Sequence, residues 1–378
     1  MKFDILNKPF LPVLAGLFLL FQQCKPVHRD YPVNSKTVTV LGRTVYEEGQ
    51  GLVLISSMST VQFSFTGDSV QVFFKNLAPG DDYGYIVYEL DVKKVVRVKI
   101  TDRKEQVLTV YPEIKAPVHV LKIYKATEAQ NGDLAVVRIR GRDIKPVESL
   151  SKLKIEFIGN SITCGMGADT SEVACGEGKW YDQHNAYYSY ASRVARELKM
   201  RYTISAVSGV GIYRNWNSDG PAMPELYGST YFSKERSAAW DFSRESPDYV
   251  SICLGTNDFS NGDGVTPREP FDSTRFTETY LDFVKTLYGH YDSARVVLLT
   301  SPMLSGEKAD LLYRLLLKIA DQVNQAYPDR KEAVVFQFEP MKPGGCDFHP
   351  SVDDHRIIAF QLVSFLNRYV KQVDPKIK

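Results

Sequence analysis

Phe157-Ile158-Gly159-Asn160-Ser161-Ile162-Thr163-Cys164 closes a mostly apolar run that begins at Leu153. The run reads as a buried strand, and Gly159 allows a sharp turn at its end. That turn would present Ser161 at the carboxyl edge of a sheet. In open α/β sheets, ligands sit outside the carboxyl ends of the strands. A serine held there is a candidate nucleophile, although Ser161 taken alone reads better as a helix N-cap. Three further blocks follow in order and give it weight: Ser208-Gly209-Val210-Gly211, Leu254-Gly255-Thr256-Asn257-Asp258 and Cys346-Asp347-Phe348-His349-Pro350.

Downstream of Leu153 the pattern alternates. Strand-like runs span 153–158, 202–206, 249–254, 296–300 and 333–338. Between them lie helical stripes: Tyr190, Val194 and Leu198; Phe276, Tyr280, Phe283, Val284 and Leu287; Leu311, Leu312, Leu315, Leu316 and Ile319; and Ile358, Leu362, Phe365, Leu366 and Tyr369. This alternation predicts a parallel sheet covered on both faces. Upstream, from about Thr37 to Ile144, short β-rich runs recur at 61–66, 69–74, 83–88, 96–100, 118–124 and 134–139. Turn signals such as Thr66-Gly67-Asp68, Pro79-Gly80-Asp81-Asp82 and Asn131-Gly132-Asp133 separate several of them, which reads as a β-sandwich. Lys145-Pro146-Val147-Glu148 reads as a linker. The expected division is residues 36–145 for the β domain and 151–373 for the α/β domain. A chain of 378 residues suits two domains.

Acyl transfer needs a nucleophile, a base and donors for the oxyanion. Ser161 supplies the hydroxyl. His349 is the residue type best suited to take its proton near neutral pH. The candidate oxyanion hole comprises the N–H of Ser161, the N–H of Gly209 and the side-chain amide of Asn257. Tyr213, Arg214, Asn215 and Trp216 closely follow the glycine and are expected to wall the substrate pocket. Asp258 reads as structural, and His184 and His355 as non-catalytic.

The blocks Gly159-Asn160-Ser161-Ile162, Gly209, Gly255-Thr256-Asn257-Asp258 and His349-Pro350 resemble the SGNH hydrolase superfamily. With Ser208–Asn215, Met223–Tyr227 and Gly345–Pro350 added, the chain is similar to carbohydrate esterase family 2, deacetylases of plant polysaccharides. The resemblance implies an α/β SGNH-hydrolase domain, flavodoxin-like and three-layered, preceded by an all-β jelly-roll sandwich. It implies removal of O-acetyl groups from xylan, mannan or glucomannan, or their oligosaccharides, with no cofactor. Another acetylated glycan, a lipid ester or a thioester is the alternative substrate. A catalytically inactive sugar-binding surface lipoprotein is the alternative of another class. Two positions depart from the superfamily pattern. Asn160 stands where Asp is commoner. Cys346 stands three residues before the histidine, where an Asp usually orients it. Asp347 is therefore only a candidate orienting acid, and a main-chain carbonyl is expected to hold the imidazole instead.

Lys2 and Lys8 precede an apolar run from Phe10 to Phe21 that ends near Cys24, which reads as an export signal over residues 1–24. Cys24 is the candidate lipidation site, although Phe21-Gln22-Gln23 fits a lipobox poorly. The expected location is the periplasm or outer membrane of a bacterium, with membrane contact only through that lipid. If Cys24 is lipidated, Cys164, Cys175, Cys253 and Cys346 remain, with three pairings open. Cys253 reads as a buried thiol, and Cys164 and Cys346 as structural. No Cys or His spacing suits a metal site. Forty-six basic against 45 acidic residues give a net charge of +1, which offers no electrostatic case for nucleic acid. The 22 Tyr suit a protein that handles sugars or one that buries large faces.

Overall fold

The structure, a computed structural model, describes residues 28–148, 151–236 and 238–373. Cys24 and the expected export signal lie outside the described residues.

Among the described residues, ten strands form the N-terminal half: β1 (Arg29–Pro32), β2 (Thr39–Leu41), β3 (Thr44–Glu47), β4 (Gly51–Leu54), β5 (Thr60–Asn76), β6 (Gly84–Leu90), β7 (Lys94–Ile100), β8 (Gln106–Val110), β9 (His119–Lys125) and β10 (Leu134–Pro146). All pair antiparallel, in the order β3-β4-β10-β5-β9-β6-β7, with β1 added to β10 and with β2 and β8 added to β5. The sheet therefore takes in residues ahead of 36, because Arg29–Pro32 ladders onto Gly141–Arg138. It also runs through the expected linker as far as Pro146.

The Thr66-Gly67-Asp68 turn does not form, and β5 continues through it. The reason lies in side-chain parity. Val61, Phe63 and Phe65 enter the core on one side of Gly67, and Val70, Val72 and Phe74 on the other. The inward set switches from odd to even numbers, as one extra residue in a strand requires. Gly67 absorbs that residue at φ +99, and the facing stretch of β10 shifts register between Arg140 and Lys145. The strand bends, and the sheet curls around its own core.

The C-terminal half holds β11 (Lys154–Gly159), β12 (Arg201–Ala206), β13 (Tyr249–Cys253), β14 (Arg295–Leu299) and β15 (Val334–Phe336). They are parallel, in the order β12-β11-β13-β14-β15. Among the described residues, six α-helices accompany them: α1 (Ser161–Cys164), α2 (Tyr190–Glu197), α3 (Met223–Leu226), α4 (Ser273–His290), α5 (Gly306–Ala326) and α6 (Val352–Val373). Alternate strand residues serve opposite faces. Phe157, Val297 and Leu299 pack with α2 and α6, whereas Ile158, Val296 and Leu298 pack with α4 and α5. Three layers result. The strand order reverses between β11 and β13, where doubly wound sheets open a crevice.

The halves share a core. Leu41, Met58, Tyr85, Val87, Tyr124 and Ala126 of the β half join the cluster built on α2 and α6. Arg43 crosses further. Its guanidinium is fully buried among the rings of Tyr227, Phe232, Trp240 and Phe242, with centroids at 4.1–6.0 Å. It donates to the carbonyls of Tyr227 (2.8 Å) and Ser229 (2.6 Å) and lies 4.0 Å from Glu156 on β11.

Candidate active site

Strand β11 ends in Gly159 because nothing larger fits: a Cβ there would lie 2.1 Å from the Thr163 hydroxyl. Asn160 then caps α1, its Oδ1 accepting the Ile162 N–H at 3.2 Å. Capping needs only an oxygen acceptor, so Asn serves here as Asp would. Ser161 is the first residue of the helix rather than its cap, and Gly165 closes the turn at φ +73.

His349 arrives from a turn before α6. Its Nε2 lies 2.8 Å from the Ser161 Oγ, and its Nδ1 lies 2.7 Å from the main-chain oxygen of Asp347. A carbonyl can only accept, so the proton resides on Nδ1 and Nε2 presents its lone pair to the serine hydroxyl. The Asp347 carboxylate is not the orienting group. The carbonyl reaches the ring because Asp347 and Phe348 both adopt left-handed backbone, at φ 50 and φ 59. Such geometry persists only where its surroundings enforce it. Here Cys346 is disulfide-bonded to Cys175, its N–H donates to Gly167 O (2.8 Å), and the Gly345 N–H donates to His349 O (2.8 Å). Burial holds the His349 pKa below the usual histidine value, and the backbone contacts oppose this only in part.

Gly209 follows β12 with φ +77, a conformation that favours glycine. Asn257 follows β13. Its amide donates to Val210 O at 2.8 Å, which leaves a second N–H for the cleft. Asp258 is buried and accepts the N–H groups of Ile212, Tyr213 and Arg214, fixing the loop after the glycine. Cys164 and Cys253 are buried free thiols. Ser161, Gly209, Asn257 and His349 all line one cleft of about 800 Å³.

The GDSL-like Lipase/Acylhydrolase profile matches residues 157–357, and the carbohydrate esterase 2 N-terminal profile matches residues 40–147. The chain belongs to the GDSL-like lipase/acylhydrolase family. It is 29% identical over 335 residues to the cellulase/esterase CelE of Acetivibrio thermocellus, covering 85% of this chain but 38% of that protein. This member of the family thus spans well under half of CelE. It is 25% identical to an acetylxylan esterase / glucomannan deacetylase of Cellvibrio japonicus, over 88% of this chain and 92% of the relative. The fold resembles a family two carbohydrate esterase from Cellvibrio japonicus, with TM-score 0.80, 23% identity, and 92% and 99% of the two chains covered. It also resembles one from Clostridium thermocellum solved in complex with cellohexaose, with TM-score 0.77, 24% identity, and 88% and 99% covered.

Around the GDSL-like cleft, Trp216 lines the wall as expected, Asn215 lines only the hollow beyond it, and Tyr213 and Arg214 line neither. Tyr213 packs edge-to-face against Phe271 and Phe276 and accepts the Asp272 N–H at 3.0 Å. Arg214 donates to Asp258 O and Glu269 O. Asn215 accepts from the Gly211 N–H and donates to Gly220 O, binding the loop to itself. The loop folds back, with the Trp216 N–H donating to Gly209 O at 2.8 Å, and so only Trp216 returns to the site. Lining residues that escaped the sequence reading include Trp180 (44% exposed), Phe348 (87%) and Gln130 of the β half. Phe348 could have been flagged as an aromatic beside the histidine. Gln130 carried no signal.

Proposed function

We propose that this chain is a carbohydrate esterase that removes O-acetyl groups from plant-type polysaccharides by acyl transfer through Ser161 and His349. The observation that carries the reading is the 2.8 Å contact between Ser161 Oγ and His349 Nε2 at the mouth of the switch-point cleft. Ser161 attacks the acetyl carbonyl as Nε2 takes its proton. The N–H groups of Ser161 and Gly209 and the Asn257 amide receive the negative charge that develops on oxygen. Nε2 then protonates the departing sugar hydroxyl. A water deprotonated by the same nitrogen attacks the acetyl-serine, releasing acetate and restoring the hydroxyl.

Three features support a glycan as the alcohol portion. Trp180, Trp216 and Phe348 place exposed ring faces around the cleft, and apolar ring faces suit sugar rings. Beyond Trp216 the cleft continues into a second hollow of about 490 Å³ that shares Gln130, Ser208, Gly209 and Trp216, so room exists for several sugar units. The similar Cellvibrio japonicus protein is named an acetylxylan esterase / glucomannan deacetylase. Acetate release from acetylated xylan, mannan and glucomannan, with Ser161→Ala as control, tests the reading. Release that persists in a folded Ser161→Ala protein would falsify it. Glycan binding without turnover would favour the sugar-binding alternative.

Export with a lipid on Cys24 belongs to the same proposal. Lys2, Lys8 and the apolar run to Phe21 support it, and the Cys175–Cys346 disulfide suits an oxidising compartment. Mass spectrometry of the protein from its native membrane is expected to find an acylated Cys24 as the first residue. A different mature N-terminus would refute the lipid anchor.

A further inference from the structure

Between β9 and β10 the antiparallel half makes a short turn that reaches the catalytic cleft. Glu128, which opens it, is fully buried. Its Oε2 accepts the backbone N–H of Ser208 at 2.7 Å and faces the Cys164 thiol at 3.5 Å. Cys164 ends the short helix that Ser161 begins, and Ser208 immediately precedes Gly209. One carboxylate oxygen thus touches both segments that carry main-chain oxyanion donors. Two residues along the turn, the Gln130 amide donates to Ser208 O at 3.4 Å. Both backbone groups of Ser208 are therefore held by side chains from the other half of the molecule.

This matters for the direction of one N–H. The Ser208 carbonyl and the Gly209 N–H belong to the same planar trans peptide and point in opposite directions. Holding the carbonyl on Gln130 aims the N–H the other way. Gly209 has no Cβ and sits at φ +77, so its own sterics restrain that peptide least of any residue. On its far side, Gly209 O is fixed by the Trp216 N–H. A carboxylate is costly to bury, and here its second oxygen finds no hydrogen-bond partner.

We propose that Glu128 and Gln130 are positioning residues that set the Ser208–Gly209 peptide, so that the antiparallel half completes the oxyanion hole of the hydrolase half. The inference rests on the acyl-transfer reading above. It implies that the β half contributes to the chemical step as well as to stability and polysaccharide contact.

The test is steady-state hydrolysis of p-nitrophenyl acetate by Glu128→Ala, Glu128→Gln and Gln130→Ala. Thermal unfolding and amide exchange across residues 207–211 are followed by optical and mass-spectrometric methods. A fault confined to the oxyanion donor lowers kcat and leaves KM nearly unchanged. Glu128→Ala is expected to lose roughly 10- to 100-fold in kcat, less than outright removal of a donor. Glu128→Gln retains an acceptor for the Ser208 N–H and is expected to recover most of that loss. Gln130→Ala is expected to lower kcat several-fold with an unchanged melting temperature, since its side chain is exposed. Faster exchange across 207–211 should accompany each loss. Wild-type kcat in folded Glu128→Ala and Gln130→Ala proteins overturns the proposal, as does a Glu128→Gln variant no better than Glu128→Ala. Should Glu128→Ala fail to fold, Gln130→Ala decides alone. If the wild-type protein hydrolyses no acetate ester, the acyl-transfer reading falls. Positioning then stands or falls on the exchange of 207–211 in the same variants.

Discussion

The main-chain oxygen of Asp347 accepts the Nδ1–H of His349 at 2.7 Å. A carbonyl fixes the tautomer as firmly as a carboxylate does, but it brings no full negative charge to stabilise the imidazolium. The Asp347 side chain is thereby spared the orienting task. Where an Asp carboxylate orients the base, Asp→Asn can cost about 10,000-fold, because the amide can stabilise the wrong tautomer. Here Asp347→Asn is expected to keep most activity, helped by the tolerance of Asn for left-handed backbone. His349→Ala should lose nearly all of it. Kinetics of the two variants at matched pH separate the cases. A loss of several orders of magnitude in folded Asp347→Asn would make its carboxylate the orienter.

Dependence on pH follows from the same histidine. Burial depresses the His349 pKa, so the neutral, proton-accepting form extends further into acid than for a free imidazole at about 6.5. Activity requires that neutral form. The acid limb of kcat/KM is therefore expected to fall below pH 6.5, with a plateau through neutrality. A limb centred above 7 would show that a nearby negative charge governs the ring.

Asn257→Ala tests the third oxyanion donor. Its amide is held by Val210 O and by the Arg268 guanidinium on its own main-chain oxygen at 2.7 Å. A donor so fixed acts on charge that develops late, so turnover should drop by roughly 100- to 1,000-fold with little change in KM. A variant that altered KM alone would remove Asn257 from that role.

The disulfide offers a fourth measurement. Cys175 and Cys346 are 171 residues apart, and Cys346 abuts the carbonyl that holds the base. Cys175→Ser is expected to lower stability by about 2–4 kcal/mol in urea unfolding, as loss of a bridge typically does. It should also lower kcat, because the left-handed pair Asp347–Phe348 loses its main restraint. Treatment of the wild-type protein with reductant should reproduce both effects. Unchanged kcat after complete reduction would assign the loop's order to its backbone bonds alone.

Much of the hydrolase half was readable because its strands are buried on both faces and so appear as unbroken apolar runs. Ser161, Gly209 and Asn257 each sit just past such a run, and His349 sits just before the last helical stripe. Their convergence needed only the assumption of a parallel sheet. The antiparallel half was less legible. Strands such as Thr39–Leu41 and Thr44–Glu47 are too short to show a period, and Gly67 imitates a turn while serving as a bulge. The pocket walls were misread where the loop doubles back between Gly209 and Trp216, since proximity in sequence to a site residue says nothing about which side of a tight loop faces it. Gln130 and Trp180 reach the cleft from other parts of the chain, and the partner of Cys175 was one of several the spacing left open.

Arg43 has a consequence for how the chain is made. The antiparallel half leaves the ribosome first and can begin to fold as a unit. Its guanidinium must then stay hydrated until Trp240 and Phe242 have been synthesised, because the rings and carbonyls that enclose it belong to the later half. Dehydration of this one side chain is a late event in maturation. A nascent chain stalled before Trp240 is expected to leave Arg43 open to an arginine-specific dicarbonyl reagent, and the finished protein to protect it. Equal labelling in both would show that the cage breathes in the mature protein. A shortened chain carrying only the hydrolase half would keep the Ser205, Tyr227 and Tyr291 hydroxyls on Glu156 but lose the Arg43 cation that faces it at 4.0 Å.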